Sequence, residues 1–291
     1  MSSEKDEVRS SDGARRGVEW QPELEGNETR PSNYTILNSI LHKLSAVTEE
    51  ETISYHNIDV ETARDVIQEL ERTNEGRSLR LSYNSRLQEL KLVLMSSPIH
   101  DSHQPWLNHR IIHWMLEGLL LPQQAEDDLR VLSGTRFSSF EAPYASSHKE
   151  PDQCIRPKGL DLPTLVVESG WSESRSVLHN DRDLWLIGGS RVVQAVMVLK
   201  WSKTEHGRVE GDVELFDLDA SGSVRSLQKE IIFPRPPPMI AAMQSVNITR
   251  SQLFGPTLPD GQDPGTIFPL SVDSLRVIAE DFIRDEGFVP A

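Results

Sequence analysis

The sequence predicts an α+β (mixed α/β) fold in which a small mixed sheet is flanked by helices. Apolar residues follow helical spacing in 60–70, alternate along 79–94, and return to helical spacing in 105–121. Further along, the segment 192–201 is apolar at nearly every position, which is typical of a central strand buried on both faces. Helices and strands in this order build layers of helices on a sheet.

The N-terminal part of the chain is predicted to begin with a disordered tail. Residues 1–30 are rich in Ser, Gly, Glu and Arg and contain almost no apolar residues, so they cannot form a packed core. A first helix is predicted over 33–47, and a second helix begins at Asp59, a favourable N-cap residue. Together they form a helical N-terminal segment over 31–77.

The middle of the chain is predicted to supply the sheet. The alternation in 79–94 predicts a β-hairpin, and the wide apolar stripe in 105–121 predicts a helix. Short strands are predicted near 136–140, 153–156 and 164–169. These elements open a domain that we expect to be of mixed α/β type.

The remaining elements complete that domain and extend beyond it. A helix is predicted over 172–187, ahead of the central strand, and an edge hairpin follows it. We interpret the run "PRPPP" at 234–238 as a rigid connector, with a polyproline ligand for an SH3-type domain as the alternative. A final helix begins near Ser271. The domain is therefore expected over 78–232, and a Pro-rich connector with a C-terminal helical extension over 233–291.

Composition limits the classes of function. The 291-residue chain has a formal net charge of −15 and a sequence pI near 5.1, whereas proteins that bind DNA through their overall field are usually basic. Nucleic acid is therefore expected only at a local basic groove, and protein partners stay unknown at this stage. Cys154 is the only cysteine, which excludes an intramolecular disulfide and a cysteine-based zinc site.

The sequence carries no signal for a membrane or for secretion. Its apolar runs are all far shorter than the roughly 18 residues that a spanning helix needs. The N-terminal stretch also lacks the hydrophobic segment of a secretory signal. We therefore expect no membrane partner and an intracellular protein, cytoplasmic or nuclear.

The stretch "KEPDQCIRPKGLDLPTLVVESG" at 149–170 carries the candidate site. Asp152 follows a proline, and Glu168 closes an apolar strand, where a carboxylate needs a ligand, a partner or solvent. Adjacent strands would bring both carboxylates together as ligands for Mg²⁺, which can drive phosphodiester hydrolysis. A lysine two residues after the glutamate would stabilise the developing charge, but Gly170 occupies that position. The alternatives are a turn aspartate and a solvent-exposed or helix-capping glutamate.

Two of these segments, "KEPDQCIRP" and "LPTLVVESGWSES", resemble the restriction-endonuclease-like PD-(D/E)xK superfamily, and within it the Uma2-like endonucleases and their fungal relatives. The hairpin, the apolar helix, "LSGTRFSSF" and "SESRSVLHNDRDLWLIGG" occur in the order of that family, over roughly 78–202. The resemblance implies a restriction-endonuclease-like fold. It also implies a Mg²⁺-dependent nuclease or a degenerate descendant of one.

The resemblance also implies roles for individual residues. Asp152 and Glu168 would hold the metal, and Glu117 from the preceding helix would be a further acidic ligand. The basic group would come from the helix after the glutamate strand, which offers two arginines, or from Lys200 on the next strand. The two arginines are Arg175 and Arg182. Because arginine stays protonated and delocalised, it replaces a lysine poorly, and Lys200 is the predicted catalytic residue.

Two functions follow from these observations. The first is a nuclease-like protein that hydrolyses phosphodiesters with Mg²⁺ through Asp152 and Glu168. The second is a catalytically inactive descendant that keeps the fold as a protein or nucleic-acid interaction module. The acidic charge and the missing lysine favour the second for activity, whereas the ordered motifs favour the first for ancestry.

Histidines form a separate concentration in the sequence. His109 and His113 are four residues apart, so on a helix they share one face and could bind zinc. The segment "HRIIH" lacks the glutamate of the H-E-x-x-H zinc motif. We therefore interpret these histidines, with the nearby His100 and His103, as surface or interface residues.

Overall fold

The structure is a computed structural model. It describes residues 33–47, 50–73, 79–94, 97–171 and 173–291. Its helices and mixed sheets confirm the predicted α+β class. The tail predicted at 1–30 lies outside the described residues. Among the helices that are described, none combines the length and the apolar character that a membrane span requires.

The N-terminal unit is a three-stranded antiparallel sheet with two helices packed on it. Along the chain its elements are α1 (Asn33–Ala46), β1 (Glu51–Tyr55), α2 (Val60–Thr73), β2 (Leu79–Asn84) and β3 (Glu89–Leu94). β3 lies between β1 and β2. The Asp59 carboxylate accepts a hydrogen bond from the backbone N–H of Thr62 at 2.8 Å, which confirms it as the cap of α2. Ile40, Val66 and Leu70 pack on the sheet in one buried cluster.

The predicted hairpin at 79–94 is confirmed as β2 and β3, and it belongs to the N-terminal sheet. β3 pairs with β2 on one side and with β1 on the other. No strand is predicted from the sequence at the position of β1. The predicted boundary at residue 78 runs through this sheet, because β1 lies before it and the hairpin after it.

The rest of the chain builds a seven-stranded sheet, a two-stranded ribbon and five helices within the described residues. In chain order these are α3 (His103–Leu116), β4 (Leu129–Leu132), β5 (Gln153–Pro157), β6 (Leu165–Gly170), α4 (Arg175–Gly188), β7 (Ala195–Lys203), β8 (Arg208–Leu218), β9 (Val224–Phe233), α5 (Pro238–Met243), β10 (Ser245–Thr249), α6 (Arg250–Phe254), β11 (Ile267–Ser271), α7 (Val272–Asp285) and β12 (Val289–Pro290).

The central sheet has the strand order β12-β8-β7-β6-β5-β4, and β9 also pairs with β8. β4, β5 and β6 form an antiparallel meander. The chain then returns through α4, so that β7 lies parallel to β6. β5, β6 and β7 confirm the strands predicted near 153–156, 164–169 and 192–201. β10 and β11 form a separate antiparallel ribbon, and within the described residues they pair only with each other.

Both faces of the central sheet are covered, which explains why all six residues of β6 are buried. Val166 faces a cluster formed with Leu178 and Trp185 of α4. Val167, on the opposite face, belongs to a larger cluster with α3, α7 and the ribbon. Because side chains alternate along a strand, Glu168 lies on the same face as Val166 and is directed towards α4.

The prediction of a strand near 136–140 is wrong. This segment is irregular, and its only pairing among the described residues is an isolated bridge between Phe137 and Lys149. Phe137 and Phe140 instead contact Trp185 edge to face, with ring centroids 5.8 and 5.3 Å apart. The alternation of aromatic residues therefore serves packing against α4. The final helix is confirmed as α7, whose first turn is capped by Ser271.

Candidate functional site

Asp152 and Glu168 lie side by side in the structure. β5 and β6 are antiparallel, and Gln153 is opposite Val167. The same register places Asp152, one residue before β5, directly opposite Glu168. Residues opposite each other in an antiparallel pair share one face of the sheet, with Cβ atoms about 5 Å apart. Both side chains are buried, with relative exposures of 6% and 3%.

The Asp152 carboxylate is held by donors on both oxygens. Its Oδ2 accepts a hydrogen bond of 2.6 Å from the backbone N–H of Ser169, and the Nε2 atom of His100 lies 3.6 Å away. Its Oδ1 is paired with the guanidinium of Arg80. Burial alone would raise the pKa of Asp152, but His100 and Arg80 outweigh burial and hold that pKa well below its ordinary value.

The cations around Asp152 come from two different elements. Arg80 lies on β2 of the N-terminal sheet and also binds Asp101, with an N–O distance of 3.0 Å. His100 lies in the short turn ahead of α3 and is nearly fully buried. Burial lowers the pKa of His100, but Asp152 and Asp101 raise it, to about 9. His100 is therefore a buried imidazolium at neutral pH.

Glu168 is paired in the same way but with different partners. Its Oε1 accepts a hydrogen bond of 2.5 Å from the indole N–H of Trp185. Its Oε2 lies 3.2 Å from the Nζ atom of Lys149. Burial raises the pKa of Glu168 to about 8, because the nearby charge of Asp152 adds to the effect of burial while Lys149 only partly opposes it.

Two buried lysines extend the ion pairs from Glu168 to α4. Lys149 lies 2.9 Å from Oδ2 of Asp181, and Lys91 lies 2.9 Å from Oε1 of Glu173. Lys91 also contacts Asp181. Burial would lower the pKa of Lys91, but Asp181 and Glu173 raise it well above its ordinary value. We call this whole set the buried network. It consists of Arg80, Lys91, His100, Asp101, Lys149, Asp152, Glu168, Glu173 and Asp181.

Lys149 supplies an amine beside Glu168, which is not predicted from the sequence. Gly170 faces α4, and a Cβ atom at this position would lie 2.8 Å from Cδ1 of Leu178. Leu178 is fully buried, so a longer side chain at position 170 has no open space. Lys149 instead reaches Glu168 from the segment that precedes β5.

The other predicted basic residues do not reach the acid pair. Arg175 pairs with Asp212, and Arg182 pairs with Asp183. Lys200 donates a hydrogen bond of 3.0 Å to the backbone carbonyl of Trp171, and a second to that of Trp201. Burial lowers the pKa of Lys200 to about 8.

Glu117, the predicted third acidic ligand, is also apart from the pair. It is the exposed C-cap residue of α3, and its backbone N–H bonds to the carbonyl of His113. Glu117 is not among the residues that line the cavity beside Asp152 and Glu168. The structure therefore brings together two of the four predicted site residues, and leaves Glu117 and Lys200 elsewhere.

The histidines divide into two groups. His109 and His113 are exposed on α3, as interpreted from the sequence. His100 and His103 are buried beside Asp152, so for them the surface interpretation is wrong. Burial lowers the pKa of His103 to about 4, and the nearby His100 also lowers it. One pair of neighbouring imidazoles thus contains a charged ring and a neutral ring.

The residues around Asp152 and Glu168 do not fit a Mg²⁺ ion in this arrangement. Mg²⁺ takes about six oxygen ligands and usually keeps several waters, whereas both carboxylates here are bound by cationic side chains. The cavity at their centre measures about 20 Å³, which is room for about one water molecule. Across the described ranges, no three His, Cys, Asp or Glu side chains form a group that could hold a metal. Magnesium binding stays a prediction that requires Arg80 and Lys149 to move away.

Comparisons of the chain with protein-family models, with curated proteins and with solved structures give no match.

Proposed function

We propose that this protein is a catalytically inactive descendant of a nuclease-like fold, and that it acts as a protein-interaction module. The observation that carries the proposal is the pairing of Asp152 with Arg80 and of Glu168 with Lys149. Cations of the same chain occupy the positions that metal ions would take beside these carboxylates. The acid pair then has a structural role.

The arrangement of strands supports the nuclease-like ancestry. An antiparallel meander delivers Asp152 and Glu168 face to face, and α4 leads from the glutamate strand to a parallel neighbour. A shared site needs adjacent strands, and β5 and β6 are adjacent. The resemblance to the PD-(D/E)xK superfamily is consistent with this order.

Burial supports the loss of activity. A phosphodiester and its metal ions need much more space than the cavity of about 20 Å³ beside the two carboxylates. Arg80 and Lys91 reach this cavity from the N-terminal sheet, so the sheet covers the face from which a substrate would enter. The formal net charge of −15 also disfavours nucleic acid as the partner.

The buried network has a direct structural consequence. Arg80 and Lys91 belong to the N-terminal sheet, whereas Asp152, Glu173 and Asp181, with which they pair, belong to the second half of the chain. Breaking one side of a buried ion pair leaves an uncompensated charge, which costs about 3–5 kcal/mol. Asp152, Glu173 and Asp181 therefore fix the N-terminal unit on the rest of the chain.

A Mg²⁺-dependent phosphodiesterase is the second candidate, and one observation favours it. Lys149 lies 3.2 Å from Glu168, so this carboxylate has an amine beside it although Gly170 has none to offer. This candidate requires Arg80 to leave Asp152, and with it a movement of the N-terminal sheet.

Metal binding and cleavage decide between the two candidates. We expect no saturable binding of Mg²⁺ or Mn²⁺ by calorimetry, and no cleavage of plasmid or single-stranded DNA, for the wild type and for Glu168→Gln alike. Glutamine keeps the shape of the side chain, and circular dichroism checks that the variant is folded. Metal-dependent cleavage by the wild type that is lost in Glu168→Gln would replace the first candidate with the second.

A further inference from the structure

A second polar region lies away from the buried network. A cleft of about 510 Å³ separates the end of the central sheet from the ribbon, a size within the usual range for ligand sites. Leu218 of β8 and Leu227 of β9 line one side, and Asn247 and Thr249 of β10 line the other. Arg191, in the loop between α4 and β7, also lines it. No residue of the buried network contributes to this cleft.

One residue of β10, Asn247, directs both of its backbone groups towards the cleft. β10 pairs with β11 on one side only, and there Asn247 is opposite Pro269, which has no N–H to donate. The backbone N–H and C=O of Asn247 are directed the other way. Both are bound by the side-chain amide of Gln228, at 3.0 Å for the N–H and 2.8 Å for the C=O.

The amide of Gln228 stands where the backbone of a neighbouring strand would stand. In an antiparallel sheet, the two residues of a hydrogen-bonded pair exchange both of their backbone hydrogen bonds. Gln228 provides one donor and one acceptor to Asn247 in the same way, but with a side chain. The β10 edge is thus satisfied by a group that an incoming backbone can replace.

The charge of the cleft differs from the charge of the chain. Arg225 makes two hydrogen bonds to Asp217, so its charge is balanced locally. Arg191 is exposed, donates to the carbonyl of Ala220 at 3.2 Å, and makes no ion pair with any residue that the structure describes. The cleft therefore carries a net positive charge on a protein whose formal net charge is −15.

We propose that this cleft binds an extended acidic peptide segment of a partner protein, whose backbone replaces the Gln228 amide at Asn247. Asn247 provides the backbone contact, the apolar side chains of Leu218 and Leu227 receive alternate side chains of the peptide, and Arg191 selects for acidic ones. The inference rests on the proposed function, since it names the partner of the interaction module. Peptide binding and DNA cleavage are separate measurements, so either can fail alone.

Fluorescence anisotropy with the full chain tests this proposal. The probe is a fluorescein-labelled hexapeptide that alternates glutamate and valine, and the matched probe has lysine in place of glutamate. We expect saturable binding of the glutamate peptide and much weaker binding of the lysine peptide. Arg191→Glu should reverse this preference, because it exchanges the charge that faces the peptide.

Two variants test the backbone contact at Asn247. Gln228→Ala removes the competing amide and should tighten binding of the glutamate peptide about fivefold, the equivalent of one hydrogen bond. Asn247→Pro removes the edge N–H and should weaken binding by about the same factor. Circular dichroism of both variants checks that the ribbon is folded.

The proposal is overturned if neither the wild type nor Gln228→Ala binds the glutamate peptide. It is also overturned by equal binding of the two peptides, or by an affinity that Arg191→Glu leaves unchanged. Metal-dependent DNA cleavage, by contrast, bears only on the proposed function.

Discussion

The buried network and the cleft beside β10 both contain many polar side chains, but their polar groups have different kinds of partner. In the network, Asp152, Glu168 and Asp181 each bind cations that are themselves buried. In the cleft, Arg191 faces solvent without an acidic partner among the described residues, and a side-chain amide alone satisfies Asn247. A site whose charges are already paired holds a structure together, whereas a site with replaceable partners can exchange them for a ligand.

The contrast extends to water. The cavity inside the buried network has a volume of about 20 Å³, whereas the cleft has a volume of about 510 Å³. Electrostatic interactions are strong where water is excluded and weak where it is present. Removing one charge should therefore cost much stability in the network and little in the cleft.

The largest effect is expected from Lys149→Met, which keeps the length of the side chain and removes its charge. Glu168 would lose the cation beside it and Asp181 would keep only Lys91, and breaking one side of a buried ion pair costs about 3–5 kcal/mol. Urea unfolding followed by tryptophan fluorescence measures the change in the free energy of unfolding.

Arg225→Ala is the matched control from the cleft. This variant also removes a cation that is paired with an aspartate. Its ion pair with Asp217 is exposed on the arginine side, so a much smaller loss of stability is expected. Equal losses for the two variants would contradict the distinction between the two regions.

The next effect is a pH dependence that resides in His100. Its pKa rises from an ordinary 6.5 to about 9 in the folded protein, because Asp152 and Asp101 outweigh burial. The resulting stabilisation is complete below pH 6.5 and is lost as the pH rises through 9, since the folded state then binds more protons than the unfolded state. The shift corresponds to up to about 3 kcal/mol.

We therefore expect the free energy of unfolding of the wild type to fall between pH 6.5 and 9. Glu168 acts in the same direction, because its pKa is raised to about 8 and its ionisation in the folded state is unfavourable. His100→Gln should make the slope shallower in this range, whatever its effect on stability at a single pH. An unchanged slope in His100→Gln would show that His100 does not titrate with folding.

The sequence predicts the acid pair because both residues lie in or beside strands with a clear hydrophobic period. Asp152 and Glu168 are separated by a short connection, and consecutive strands usually pair. α3, α4, β7 and α7 are predicted for the same reason, since each has a strong local pattern. Local periodicity thus predicts the fold class. It also places Asp152 and Glu168, two of the four predicted site residues, next to each other.

The cations of the network lack such a signal, because they come from distant parts of the chain. Lys91 alternates with Leu90 and Leu92, so the pattern indicates a solvent-facing side chain. In the structure, the second half of the chain covers that face. Lys91 pairs there with Asp181, 90 residues away in sequence. Lys149 is visible in the motif itself, but it precedes β5 in an irregular segment, where no period indicates its direction.

The smallest effect concerns Gly170, where the motif lysine is missing. A methyl group at this position would lie 2.8 Å from Leu178, and overpacking of a core costs about 1–3 kcal/mol. Gly170→Ala should therefore lower the free energy of unfolding by that amount. Gly265→Ala is the matched control, because its nearest contact would be an ordinary 3.4 Å to an exposed side chain.

The double variant Gly170→Ala with Leu178→Ala tests the cause. If Leu178 is the obstacle, the cost of Gly170→Ala should nearly disappear in the Leu178→Ala background, since two residues in contact are not additive. Position 170 is then closed by packing against α4, and Lys149 is the amine that this fold can place beside Glu168. A Gly170→Ala protein as stable as the wild type would instead mean that Leu178 moves aside, and that position 170 is open to a lysine.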